Sequence, residues 1–301
     1  MNISNFWKSS FGFTFLTFIS RVFGYIRDLL FSATLGAGVI HDIFVVIFKI
    51  PNVFRSFFGE GALAQSLTPS IIETKENLHH FLNQIFTILF TTLLAFVLFV
   101  LLFPNIFVSV FAPGFISDQE KFVAASEFLT YVFPYILLIS VVAFLGAIQN
   151  SKKKFQIVAA TPILFNLTLI TFACLAESLT LTVIGLSVLA AGFLQLVLNL
   201  FITSKLGYFP RFTKSFNGKT LNSFFSRFFP AILAAGIYQL NVLVDTVFAS
   251  FLVSGSPTWL YLSDRLIQFP LGLFGVCLLY TSPSPRDVEE CGFAGWGFKK
   301  K

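Results

Sequence analysis

The sequence predicts an all-α, polytopic membrane protein with about eight transmembrane helices, and three observations carry that expectation. Its 301 residues are 56% hydrophobic and only 11% charged, against about 25% charged in ordinary soluble domains. Apolar runs recur at the length of about 20 residues that lets a helix cross the hydrocarbon core. The lysines and arginines between those runs fall almost entirely in alternate connections. The runs are continuous rather than ten-residue alternations, which excludes a membrane barrel and leaves helices.

In chain order, spans are expected near residues 11–33, 41–58, 82–103, 128–148, 157–175, 182–203, 228–251 and 259–279. The first starts without the basic region, short apolar core and cleavage site of a signal peptide, and is read as a retained helix. The second contains Pro51, which removes a backbone hydrogen bond and is expected to bend or break it. Phenylalanine contributes 43 residues, a compositional bias rather than an aromatic substrate box. Cys174 lies in an apolar run as a small packing residue, and none of the three cysteines has metal-ligand spacing.

One set of connections holds Lys75, Lys152, Lys153, Lys154, Lys205, Arg211, Lys214 and Lys219, with Lys8 at the N-terminus; the other set holds Lys121 alone. Positive charge is retained in the cytoplasm, so the N-terminus is expected inside. Residues 1–204 then form a six-helix unit, 205–219 a cytoplasmic linker, and 220–276 the first two helices of a second unit. From Cys277 the stretch CLLYTSPSPRD resembles the translation of a sequencing adapter, so residues 277–301 are expected to be an artefact.

The chemistry concentrates in residues 20–65. Arg21, Gly24 and Asp28 share one face at i, i+3 and i+7, and Arg27 lies about 100° round from Asp28. The second span adds Asp42, Lys49 and Arg55, followed by Glu60. A charge at membrane depth costs at least a few kcal/mol unless it faces protein or a watery cavity. Arg27–Asp28 and Asp42–Lys49 pairs could simply fix helix packing. Yet Arg21, Arg27, Lys49 and Arg55 outnumber Asp28 and Asp42, and surplus guanidinium groups match the oxygens of an anion such as phosphate. Asn166, behind Pro162, is read as an interhelical hydrogen bond. Asp245 is a lone acid that must be neutral, paired across helices or bound to a cation. Arg265, preceded by Asp264, opens the eighth span and could add to the basic site. No nucleophile triad or HExxH pattern points to catalysis, and nothing indicates nucleic acid.

The blocks SRVFGYIRD, HDIFVVIFKIPNVFRSFFGEGALAQSLTPSI, GAIQNSKKKF, TPILFNL, QLNVLVDTVFAS and YLSDRLIQFPLGLFGV resemble the MurJ/MviN family of lipid II flippases. That family lies within the superfamily of multidrug and oligosaccharidyl-lipid exporters. The resemblance implies a two-lobe exporter fold of fourteen helices around a central cavity, in the bacterial cytoplasmic membrane. It implies alternating-access transport of undecaprenyl-pyrophosphate-linked disaccharide-pentapeptide, not an enzyme reaction. Substrate contacts are then expected at Arg21, Arg27, Arg55 and Arg265. Asp28, Asp42, Lys49, Glu60 and Asp264 would be balancing or gating charges, and Asp245 a sodium ligand. No cofactor is implied beyond sodium or membrane-potential coupling, and the partners are lipid II and membrane lipids. With most of the second lobe missing, the chain as written is expected to be inactive. The alternatives are a flippase for another polyprenyl-linked oligosaccharide and a membrane-embedded prenyl-pyrophosphate enzyme.

Overall fold

The computed structural model describes residues 3–58, 62–74, 77–216 and 218–281. Among them the chain is helical, without strands, in the order α1 (Ile3–Leu35), α2 (Val39–Phe58), α3 (Ala62–Glu73), α4 (Leu78–Leu102) and α5 (Pro104–Phe111). A 3-10 turn, Pro113–Ser117, leads to α6 (Gln119–Val132), α7 (Tyr135–Ser151), α8 (Phe155–Leu175) and α9 (Leu181–Lys205). The last two are α10 (Gly218–Ser250) and α11 (Ser256–Thr281). Among the described residues, five helical stretches are long and apolar enough to cross a membrane: Leu78–Leu102, Gln119–Ser151, Phe155–Leu175, Leu181–Lys205 and Leu221–Ser250. Large apolar side chains on their outer faces, among them Leu98, Phe193, Phe201 and Leu233, are exposed. Such a surface suits a multi-pass membrane protein, since lipid tails solvate it as well as a protein core would.

Local chemistry sets the breaks. Gly36 takes a left-handed φ of 62°, which ends α1 and turns the chain into α2. The Asp118 carboxylate accepts from the Lys121 N–H at 3.1 Å and starts α6, and the Thr180 hydroxyl starts α9 in the same way. α2 is helical through Pro51 to Phe58, so the expected break does not occur at the proline.

Two expectations are corrected. The fourth apolar segment starts at Gln119, not near residue 128, and its helix is interrupted at Phe133–Pro134 between α6 and α7. Its first turns carry Glu120 and Lys121, which read as loop in the sequence, but Lys121 is buried. Secondly, α3 and α5 are separate helices that hydropathy did not reveal, because both are short of a span.

The molecule divides into two compact units, residues 1–262 and 263–301. In the first, α1 packs along α8, α8 and α7 pack on α9, and α3 is held between α7 and α10. Phe54 meets Phe96 and Phe133 edge-on, at centroid separations of 5.0 and 6.0 Å, so the abundant phenylalanine also builds interlocking core contacts. Residues 206–216, between α9 and α10, run as a strap along α4. Asn83 Oδ1 accepts from the Tyr208 hydroxyl at 3.1 Å and the Arg211 N–H at 3.0 Å. Thr87 Oγ1 accepts from the Thr213 N–H, and Gln84 donates to the Ser215 carbonyl. Under this strap is an apolar cavity of about 250 Å³, with Phe86, Leu196 and Phe212 in its walls and none of the candidate arginines. Residues 282–301, most of the adapter-like tail, lie outside the described residues, as do Glu60 and Lys75.

Candidate functional site

Two clusters of buried charge lie in the first unit. The first joins α1 to α8. Arg27 is 6% exposed and Asp28 3%. Arg27 Nε and Nη2 donate to Asp28 Oδ1 at 3.0 and 2.7 Å, while Nη1 donates to Asn166 Oδ1 at 2.9 Å. The guanidinium carbon also lies 5.9 Å from the Phe165 ring centroid. Asn166 turns its amide nitrogen to the Ser20 carbonyl at 3.2 Å. Gly24 faces Asn166: a Cβ there would meet that amide nitrogen at 3.5 Å, an ordinary van der Waals contact. One asparagine therefore bridges the backbone of α1 and its buried arginine. A lone guanidinium in apolar surroundings would be prohibitively costly, and this one is paired and hydrogen-bonded.

The second cluster closes the end of the unit where the lysine-poor connections gather. Asp42, in the first turn of α2, is fully buried. Its Oδ1 accepts from the Thr258 N–H at 3.1 Å and the Thr258 hydroxyl at 2.7 Å. Oδ2 accepts from the Gly255 N–H at 2.7 Å and the Ser254 hydroxyl at 3.2 Å. An anion from α2 thus caps the first turn of α11, where unpaired N–H groups and the helix dipole favour negative charge. The Lys121 ammonium lies 3.7 Å from the same carboxylate and 4.4 Å from the Phe115 ring centroid. The Asp42–Lys49 pairing that the sequence allowed gives way to this arrangement, because tertiary contact supplies Asp42 with donors from residues 254–258. Backbone contacts flank it. The Gly114 N–H donates to Ser250 Oγ at 3.0 Å, and a Cβ on Gly114 would collide with the backbone of Ser250 and Phe251. Gly255, at φ 93°, lies against the Ala37 carbonyl.

The structure brings Arg27 and Asp28 together, and separately joins Asp42 to residues 254–258. Arg21 is exposed on α1, and Lys49 and Arg55 are half-buried on α2. Arg265 and Asp264 belong to the second unit, where Gln268 donates to Asp264 at 2.6 Å. Asp245 is exposed on α10, and among the described residues no three His, Cys, Asp or Glu side chains form a metal site. Sequence reasoning missed Lys121 as a site residue. Its signal was present in retrospect: it is the one lysine among connections otherwise free of basic residues. At the opposite end of the unit, Arg227 on α10 and Glu73 on α3 form an exposed ion pair at 2.7 Å.

Comparison with known proteins gives a consistent result. A probable lipid II flippase MurJ of Buchnera aphidicola subsp. Acyrthosiphon pisum is 34% identical over 98% of this chain and 61% of its own length. The probable lipid II flippase MurJ of Haemophilus influenzae is 30% identical over 87% of this chain and 54% of its own. Our chain therefore spans little more than half the length of the curated relatives it matches. A solved lipid II flippase MurJ in an inward closed conformation has a TM-score of 0.74 at 28% identity, covering 88% of this chain and 56% of that one. With the family model for lipid II flippase MurJ also matching residues 31–281, this chain belongs to the MurJ family.

Proposed function

We propose that the protein carrying this chain is a lipid II flippase. In this reading it moves undecaprenyl-pyrophosphate-linked peptidoglycan precursor from the cytoplasmic to the periplasmic leaflet of the bacterial inner membrane by alternating access. Family membership supports the substrate class, and the buried Arg27–Asp28–Asn166 group is the observation that carries the mechanism. A diphosphate cannot cross hydrocarbon bare, whereas the prenyl tail can stay in lipid. Asp28 holds the Arg27 charge while the site is empty; an arriving diphosphate displaces it and takes the guanidinium bidentately. In this reading Arg21, Arg55 and Arg265 contribute further positive charge to substrate binding. Glu60 and Asp264 balance that charge, Lys49 is a gating residue, and Asp245 serves as a sodium ligand if transport is ion-coupled.

Eight helices cross the membrane in this reading, with the N-terminus cytoplasmic, because the lysine-rich connections all fall on one side. The lysine-poor end is then periplasmic. Asp42 acts there as a gate, shut while it caps α11.

The test is complementation of a lipid II flippase depletion by the full-length protein. Arg27→Ala should abolish growth while membrane insertion persists. Arg27→Lys should fail as well, since one ammonium cannot reproduce the fork between Asp28 and Asn166. Normal growth of Arg27→Ala would remove the diphosphate reading.

A further inference from the structure

The diphosphate site leaves Lys121 without a role, yet burying an ammonium at 7% exposure is expensive. Its position relative to Asp42 gives it one. All four hydrogen bonds to the Asp42 carboxylate come from residues 254–258, the turn and first turn of α11. Lys121 approaches from α6, which packs against α2. The seam therefore has two kinds of partner for one carboxylate. One kind belongs to the start of α11, and the other to α6, which packs on the helix that carries Asp42.

The two charges are not equivalent in the closed seam. With Lys121 removed, Asp42 keeps four donors and the start of a helix. With the charge of Asp42 removed, Lys121 keeps, among the described residues, the face of Phe115. The other charged groups nearby do not replace Asp42. Asp118 is engaged in starting α6 through the Lys121 N–H, and the His41 ring is turned to the Gly36 carbonyl. A buried pair broken from one side leaves an uncompensated charge, and opening the seam to water relieves it.

We propose that Lys121 is a positioning residue that makes closure of this end conditional on an ionised Asp42. It acts as a buried cation that forces the seam open whenever the carboxylate is neutralised or drawn away. The proposal rests on the reading of Asp42 as a gate.

The experiment uses the full-length protein in a cysteine-free background with Ala249→Cys, a position buried on the last turn of α10, and a membrane-impermeant maleimide applied from outside intact cells. Labelling should be slow with Asp42 and Lys121 both present, and Asp42→Asn should raise its rate about tenfold or more. Asp42→Asn with Lys121→Met should label at least about threefold more slowly than Asp42→Asn alone, because the orphaned cation is gone, although the amide nitrogen still cannot accept from Gly255 and Ser254. Lys121→Arg should label slowly, as lysine does. The exchanged pair Asp42→Lys with Lys121→Asp should label fast, since a cation cannot cap α11. If the double neutral variant labels as fast as Asp42→Asn alone, the role of Lys121 is overturned while the gate stands. If Asp42→Asn does not raise labelling, the gate reading itself fails. Should Asp42→Asn not accumulate in the membrane, restored accumulation in the double neutral variant is the expected result, and no restoration overturns the proposal.

Discussion

At the scale of residues, Asn166 carries more than its polarity suggests. It accepts from Arg27 with one end of its amide and donates to the α1 backbone with the other. Asn166→Leu should lower the stability of the full-length protein by about 1–3 kcal/mol, because a hydrogen bond to a charged group is lost and Arg27 is left under-satisfied. Thermal unfolding in detergent measures that. Asn166→Asp keeps an acceptor for Arg27 but loses the donor to the Ser20 carbonyl and sets a second carboxylate beside Asp28, so both the unfolding temperature and transport should fall. Arg27 and Asp28 could be named from sequence because ionisable groups in apolar runs are conspicuous. That Asn166 would partner Arg27 could not, since it lies 139 residues away and only the packing of α8 on α1 brings it near.

At the scale of elements, the connection between α9 and α10 is the segment whose sequence says least about its structure. Its polarity, Pro210 and its basic residues mark a linker. In the fold it is pinned, because Asn83, Gln84 and Thr87 share a stretch of α4 that presents side-chain partners to its backbone. Asn83→Ala removes the acceptor of both the Tyr208 hydroxyl and the Arg211 N–H, so trypsin should cut at exposed Arg211 several-fold faster. Burial pushes the Tyr208 phenol well above its ordinary range. The folded protein then keeps this proton where an unfolded chain, with a pKa near about 10, loses it. Anchoring of the strap should be undiminished below that pH and weaken progressively above it. Phenolate absorbance should show Tyr208 resisting titration, and Asn83→Ala should release it, as the difference between the two proteins would report.

At the scale of the molecule, the two ends of the first unit are closed by different physics. The lysine-poor end is shut by a buried, multiply bonded carboxylate and by backbone against backbone at Gly114. The opposite end has the Glu73–Arg227 pair, exposed on both side chains and screened by salt. Glu73→Gln should therefore leave unfolding nearly unchanged while loosening α3 and α10 locally, which faster hydrogen exchange in those helices would report. Gly114→Ala should act at the other end, since Cβ cannot enter without displacing the Ser250–Phe251 backbone. It should expose the Ala249→Cys position to reagent from outside and reduce transport.

The sequence by itself determined the all-helical membrane architecture and the charged character of the first two helices, because both follow from composition and from local periodicity. It marked Arg27, Asp28 and Asp42 for the same reason: a charge in an apolar run conflicts with its solvent wherever the chain goes. Tertiary structure alone decided who resolves that conflict. Asp42 was placed near Lys49 by spacing along one helix, yet it is satisfied by Lys121 and by the start of α11. Helical periodicity specifies neighbours one or two turns away, whereas a buried carboxylate takes the donors that packing delivers from the other end of the chain.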